Sequence, residues 1–363
     1  MKRLLFLGLL IMMALVCTAE AFAQSSTPST LNKDAMLHAL VTNVIVPGYE
    51  RLDSKCRELT NAIEELTKAP DQTLLDRTCE AWRGAAQAAD SMRCFQKGPI
   101  ADHDYISSFY FWQILPARIE TILGSDRPIN PMLIEELGAT AKGMFALEYL
   151  LFDSVGRATK TPSALESLSG TQGQRRRIFL LALAQDLQAK AAQLATDWKA
   201  TDAQSASAKF VKAGQESVNI LVNQLALSME SIAEQHLNFV LVLPSPIAAQ
   251  LERVERSRSS GSLEGVLAAL EGTRQLYRGG EGPGLDDAMK QVNAPAQKRL
   301  DEQFDAAVAA VRAIAKPLEQ AVSEDRAVVQ RAYEKTHALE ILFKVDLASA
   351  LGVTLTFSSA DGD

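Results

Sequence analysis

Two short constellations carry groups able to hold a cation. His337 and Glu340 lie three residues apart in a helical stretch, so an imidazole and a carboxylate share one face. A polar pair on a helix surface has the same spacing, and that is the plainer reading. Asp102-His103-Asp104 sets two carboxylates around an imidazole just after Gly98-Pro99. This suits a hard or borderline metal ion, although turns also favour Asp for local hydrogen bonding. Arg118, shortly after Pro116, is placed to clamp a carboxylate or another anion. Arg175-Arg176-Arg177 opens a helix and is expected to be a solvated face. The run Phe109 to Trp112 is expected to pack in a core or at a domain interface. Asp361-Gly362-Asp363 is a fragment of a calcium loop without the remaining oxygen ligands.

Most enzyme signatures are missing. There is no G-x-S-x-G, no phosphate-binding loop, no dinucleotide G-x-G-x-x-G and no H-E-x-x-H. With 4 histidines, a multi-imidazole site would need almost all of them to converge. Beyond Cys17 the thiols are Cys56, Cys79 and Cys94, an odd set that leaves at least one unpaired. Cys79 and Cys94 fall on one expected helix roughly 22 Å apart, too far to bridge. A Cys56–Cys79 bond is geometrically conceivable; three packed thiols is the plainer reading.

The chain has 363 residues, 47% hydrophobic and 22% charged, with only 20 Gly and 13 Pro. Long stretches of Ala, Leu, Glu, Gln, Lys and Arg favour helices over sheets. The net charge of −7 disfavours nucleic acid, whose phosphates need clustered cations. Lys2 and Arg3, the apolar run Leu4 to Val16 and Ala21-Phe22-Ala23 form an export signal, with Gln24 as the first mature residue. Removing Lys2, Arg3 and Glu20 takes the charge from −7 to −8. Cys17 offers a lipid anchor as a second option, but Val16 is a poor residue before it. A periplasmic or secreted protein is expected.

Helical periodicity dominates the mature chain. Leu37, Leu40, Val41, Val44 and Ile45 mark the first helix, which Pro47-Gly48 should kink or break. Tyr49 to Lys68 follows, and Asp71 is an N-cap for a helix from about Leu74 to Phe95. Further helices are expected over Trp112 to Leu123, Met132 to Phe152 and Arg175 to Lys199. The small polar stretch Thr201 to Ala208 is a candidate linker. Beyond it, helices are expected over Phe210 to Leu241, Ser262 to Tyr277 and, broken near Lys316-Pro317, Asp286 to Val353. Val353 to Phe357 alternates as a short strand would. The organisation expected is a signal peptide at 1–23, a bundle at 24–200, a linker at 201–208 and a second bundle at 209–363. Gly143 to Asp153 (GMFALEYLLFD) is faintly echoed by Lys335 to Asp346 (KTHALEILFKVD), as a duplication would produce.

Several of these pieces resemble the imelysin family of bacterial envelope proteins. Ala81-Trp82-Arg83 leads to Phe95 and Gly98-Pro99. Pro116 and Arg118 are followed by Ile119, Ile122 and Leu123. Gly143 to Phe152 resembles the family's G-x-H-x-x-E helix. Glu255 to Ser259 and the ending LGVTLTFSSADGD also match. The resemblance implies two helical bundles related by duplication, a site at their interface, a peptidase name and a part in iron uptake. Gly143 and Glu148 match the motif, but Phe145 stands where it has histidine. Phe can neither ligate a metal nor carry a proton.

The expected protein is therefore all-α, with two helical bundles and a short extended C-terminal piece. It is expected to serve iron uptake without catalysis, through an interdomain site for a small ligand or metal ion. Arg118, Gly143 and Glu148 would bind the ligand. Asp102, His103 and Glu148 would hold iron or another divalent ion. Envelope iron-transport components are expected partners. The alternatives are a metallopeptidase with a rearranged site and a degenerate interaction module.

Overall fold

Apolar residues recurring every three or four positions build this chain from helices. The computed structural model describes residues 32–152, 163–243 and 253–356, and no strand occurs among them. The main elements are α1 (Lys33–Leu40), α2 (Val46–Lys68), α3 (Gln72–Met92), α4 (Met144–Leu151), α5 (Gly170–Lys199), α6 (Gln215–Glu230), α7 (Ser262–Arg278), α8 (Leu285–Arg312) and α9 (Arg326–Leu342). The expected export signal, Cys17, Phe357 and Asp361-Gly362-Asp363 lie outside the described residues.

The first half centres on α2, α3 and α5. Leu52, Cys56, Leu59, Ile63 and Leu66 form the buried stripe of α2. Tyr49, Phe95, Trp198 and Phe210 close one end with stacked and edge-on rings. In the second half α7, α8 and α9 pack around Tyr277, Phe304 and Phe343, whose centroids lie 5.6–6.0 Å apart. The described residues from Lys33 to Thr356 form one compact unit. Cys56, Cys79 and Cys94 are buried; burial pushes the Cys94 thiol up to about 12.

Several expected boundaries move, each for a local reason. Pro47-Gly48 does not end the first helix. A π-helical stretch, Val41–Ile45, widens the turn ahead of Pro47, and α2 continues from it. The wide turn accommodates a residue that lacks an N–H and would clash with the carbonyl four positions back. The helix expected over Trp112 to Leu123 starts only at Pro116, because Leu115 is driven to an extended conformation (φ −110°) by the following ring. Met132 to Phe152 splits into Pro131–Glu136, a short 3₁₀ turn and α4. Asp71 caps α3 as expected, its Oδ1 accepting from the Leu74 N–H at 2.8 Å. Within the candidate linker, Ser205 is buried and caps a short helix, Ala206–Lys212. Val353 to Thr356 forms neither helix nor strand, and Asn223 Oδ1 accepts the Thr356 N–H at 2.8 Å.

The halves meet where α3 crosses α7. Gly272 makes the crossing possible, because a Cβ there would sit 1.8 Å from the Ser91 carbonyl oxygen. Both sides of that contact are backbone, so no side chain can move aside. Gly272→Ala should therefore destabilise the protein by about 1–3 kcal/mol or more through overpacking. Urea denaturation of both proteins measures it, and equal stability would contradict the close crossing.

Candidate functional site

The helix α4 is apolar on every side and buried throughout. Gly143 begins it with φ 82°, a conformation that favours glycine, and a Cβ there would lie 2.4 Å from the Ser108 carbonyl oxygen. The indole N–H of Trp82 donates to the Met144 carbonyl at 2.9 Å and pins the first turn. Phe145 is 3% exposed and sits in the core. Glu148, also 3% exposed, brings a carboxylate into this apolar surround. Its Oε1 accepts from the Ser259 N–H at 2.9 Å and the Ser259 hydroxyl at 2.8 Å. Burial raises its pKa even against those bonds and the charges of Arg258 and Arg256.

Ser259 belongs to a polar loop that enters the protein between α3 and α4. Glu255, Arg256, Ser257 and Ser259 are all buried. Arg256 occupies the left-handed region, with φ 59°, held by its two contacts. Its guanidinium lies over the Trp82 ring at 5.4 Å and donates to Asp90 Oδ2 at 3.0 Å. Arg93 donates to Asp90 Oδ1 at 2.8 Å and to Glu255 Oε1, and stacks on Tyr110 at 4.7 Å. His236 presents Nε2 to Glu255 Oε2 at 2.6 Å and Nδ1 to the Ser231 carbonyl at 2.8 Å. Burial alone would raise the Glu255 carboxyl, but Arg93, His236 and Arg256 together hold it at about 2. A groove of about 960 Å³ runs beside the α3–α7 crossing, lined by Arg51, Lys55, Arg77 and Arg312 and by Glu58, Glu80 and Glu271.

The sequence pattern of the imelysin family (peptidase family M75) matches residues 45–342, the greater part of the chain. The chain belongs to the imelysin family. It is 24% identical over 326 residues to iron-regulated protein A of Synechococcus elongatus, covering 86% of this chain and 84% of that one. In fold it resembles a solved structure from Parabacteroides distasonis titled as an iron-regulated protein A precursor (TM-score 0.75, 17% identity, 90% of this chain and 97% of the other). It also resembles an imelysin-like protein from Psychrobacter arcticum 273-4 (TM-score 0.69, 15% identity, 91% and 98%).

Against this imelysin fold the expected site residues scatter. Gly143 serves the backbone, through its positive φ and its approach to Ser108. Glu148 is enclosed, and its Oε1 is bound by Ser259. Arg118 lies on the exposed face of the helix Pro116–Leu123, and the cations acting on Glu148 are Arg258 and Arg256 instead. Asp102 and His103 are exposed, and His103 Nε2 pairs with Asp197 at 2.8 Å. The ligand atoms of Asp102, His103 and Glu148 do not come together. The three arginines are not a free solvated face. Arg175 binds the carbonyls of Leu123 and Arg127 at 2.9 and 2.7 Å, and Arg176 pairs with Glu120. Phe109 and Tyr110 are core residues, as expected.

Two acidic residues of this centre should respond to pH in opposite ways. Glu255 titrates at about 2 when folded, below its ordinary 4.5. Its contribution is complete above that ordinary value and is lost as pH falls toward the folded one. Glu148 is raised above 4.5, so folding disfavours its ionised form, and stability recovers as pH falls through its folded pKa. Glu255→Gln should cost about 3–5 kcal/mol at neutral pH, because it breaks a buried ion pair. Glu148→Gln keeps an acceptor for Ser259 and should cost no more than about 1 kcal/mol. Denaturation from pH 3 to 8 tests both, and equal losses would contradict the assignment.

Proposed function

We propose that this imelysin-family protein serves iron acquisition in the cell envelope as a binding component rather than a hydrolase. The observation that carries the reading is α4. The position where the family motif has histidine holds a buried Phe145, and the Oε1 of the enclosed Glu148 accepts both bonds from Ser259. A hydrolytic metal needs several protein ligands and an open position for water. This helix offers one enclosed carboxylate and no imidazole. The family motif acts here as a packing element that joins α4 to the buried loop.

Iron enters the reading through the Synechococcus relative, whose name records iron regulation. The export signal supports an envelope location, and no described helix is long and apolar enough to cross a membrane. The groove beside the α3–α7 crossing, edged by charged residues and bordered by both halves, supports a role in binding a small ligand. The bundles at 24–200 and 209–363 would then act as one body joined through 201–208, with envelope transport components as partners.

The purified protein should not cleave an unfolded protein substrate in a chelator-sensitive way. A deletion strain should grow more slowly than its parent when iron is limiting and equally when iron is abundant. Metal-dependent cleavage that disappears in Glu148→Gln would overturn the non-catalytic reading. Equal growth at limiting iron would overturn the iron-acquisition reading.

A further inference from the structure

The faint echo between the halves takes on chemical meaning once its register is set. Phe145-Ala146-Leu147-Glu148 aligns with His337-Ala338-Leu339-Glu340. Both glutamates are buried, at 3% and 4% exposure. In the first half the partner three residues back is a core phenylalanine. In the second it is an imidazole at the surface of α9. A third ligand comes from elsewhere in the chain: Glu234, in the π-helical stretch Ser231–Asn238.

The structure assigns a binding site for a borderline divalent cation to Glu234, His337 and Glu340. His337 Nδ1 lies 3.0 Å from Glu340 Oε2 and 3.5 Å from Glu234 Oε1, and all three ligand atoms fall within 4.8 Å of one another. Metal–ligand bonds of about 2.1 Å place neighbouring ligand atoms about 3.0–3.4 Å apart, so the three are spaced to share one ion. One imidazole nitrogen faces two carboxylate oxygens and can give a proton to only one. A cation in its place meets both.

The surrounding groups aim these ligands. Asn238 donates to Glu234 Oε2 at 2.7 Å and leaves Oε1 turned to the histidine. Tyr333 donates to Glu234 Oε1 at 3.0 Å and stacks on the His337 ring, with centroids 5.5 Å apart. Lys344, in the π-helical stretch Phe343–Leu347, holds Glu340 Oε1 at 2.8 Å and leaves Oε2 free to point inward. Lys344 also pairs with Glu230 at 2.8 Å. Three carboxylates against one ammonium leave an excess of negative charge. Supporting hydrogen bonds of this kind fix ligand orientation at metal sites, and π-helical turns often mark functional positions. One nitrogen and two carboxylate oxygens suit Mn²⁺, Fe²⁺, Co²⁺ or Zn²⁺ better than Ca²⁺ or Mg²⁺. The His337 and Glu234 side chains are 41% and 37% exposed, so water can complete the coordination.

The site stands apart from α4 and does not rest on the non-catalytic reading. The test is titration of the metal-free full-length mature protein with Co²⁺, followed by visible absorption, and with Zn²⁺ by calorimetry. One equivalent should bind. His337→Phe, which copies the residue at the echoed position, and Glu234→Gln should each weaken binding by more than about 100-fold. Both changes lie at partly exposed positions, so the metal-free variants should unfold at the parent temperature. Lys344→Met should weaken binding less than either ligand change does. A parent protein that binds neither ion overturns the site. So does binding that survives His337→Phe, or that is lost instead in His103→Ala. Because these readouts use neither peptidase activity nor growth, their failure leaves the proposed function standing.

Discussion

The fold depends on a set of charges held out of water. Asp90 is gripped by Arg93 and Arg256, and Glu255 by Arg93 and His236, all nearly buried. These groups come from distant parts of the chain, α3 on one side and the 253–261 loop and its neighbouring helix on the other. Removing charge from water is costly, and only near-complete pairing recovers it. Each arginine here is shared between a carboxylate and an aromatic face, Tyr110 for Arg93 and Trp82 for Arg256. The loop is therefore fixed in register, and through Ser259 it fixes Glu148. The same Trp82 pins the first turn of α4 through Met144. One indole thus ties the family helix, the buried arginine and the core of α3 into a unit.

Much of the helical architecture was legible because it rests on periodicity and caps. Asp71, the apolar stripes of α2 and α5, and the break near Pro317 follow rules that act within a few residues. The failures were also local in cause. Pro47 was absorbed by a π-helical stretch, an option that periodicity cannot reveal. Gly138 and Gly143 split a long apolar run whose composition reads as one helix.

The site was far less legible. Arg118, Asp102 and His103 have the right chemistry but face solvent. Glu255-Arg256-Ser257-Arg258-Ser259 looks like a solvated loop, because charged residues are rarely buried without partners. Its partners Asp90 and Arg93 lie more than 160 positions away, and a single sequence records no such pairing. The signal that was available was narrower. The spacing of Asp90 and Arg93, three apart at the end of an Ala-rich helix, leaves two charges on or near its apolar side. The His337–Glu340 pair was visible, but its third member, Glu234, is placed by tertiary packing.

The backbone contact at Gly272 has a consequence for the proposed binding role. Binding proteins built as clamshells trap their cargo by swinging two lobes about a hinge, and release is timed by reopening. Here Ser91 and Gly272 touch directly, and the ion pairs of Asp90 and Glu255 lie beside that contact. A swing of the halves would pull them apart, at a cost of several kcal/mol for the pairs alone. The protein is thus built as a rigid block. Under the proposed binding role, cargo exchange on such a block would be governed by access and by side-chain rearrangement at an open face. Its residence time should then be set by local chemistry, such as ligand protonation or a competing chelator, more than by any gate.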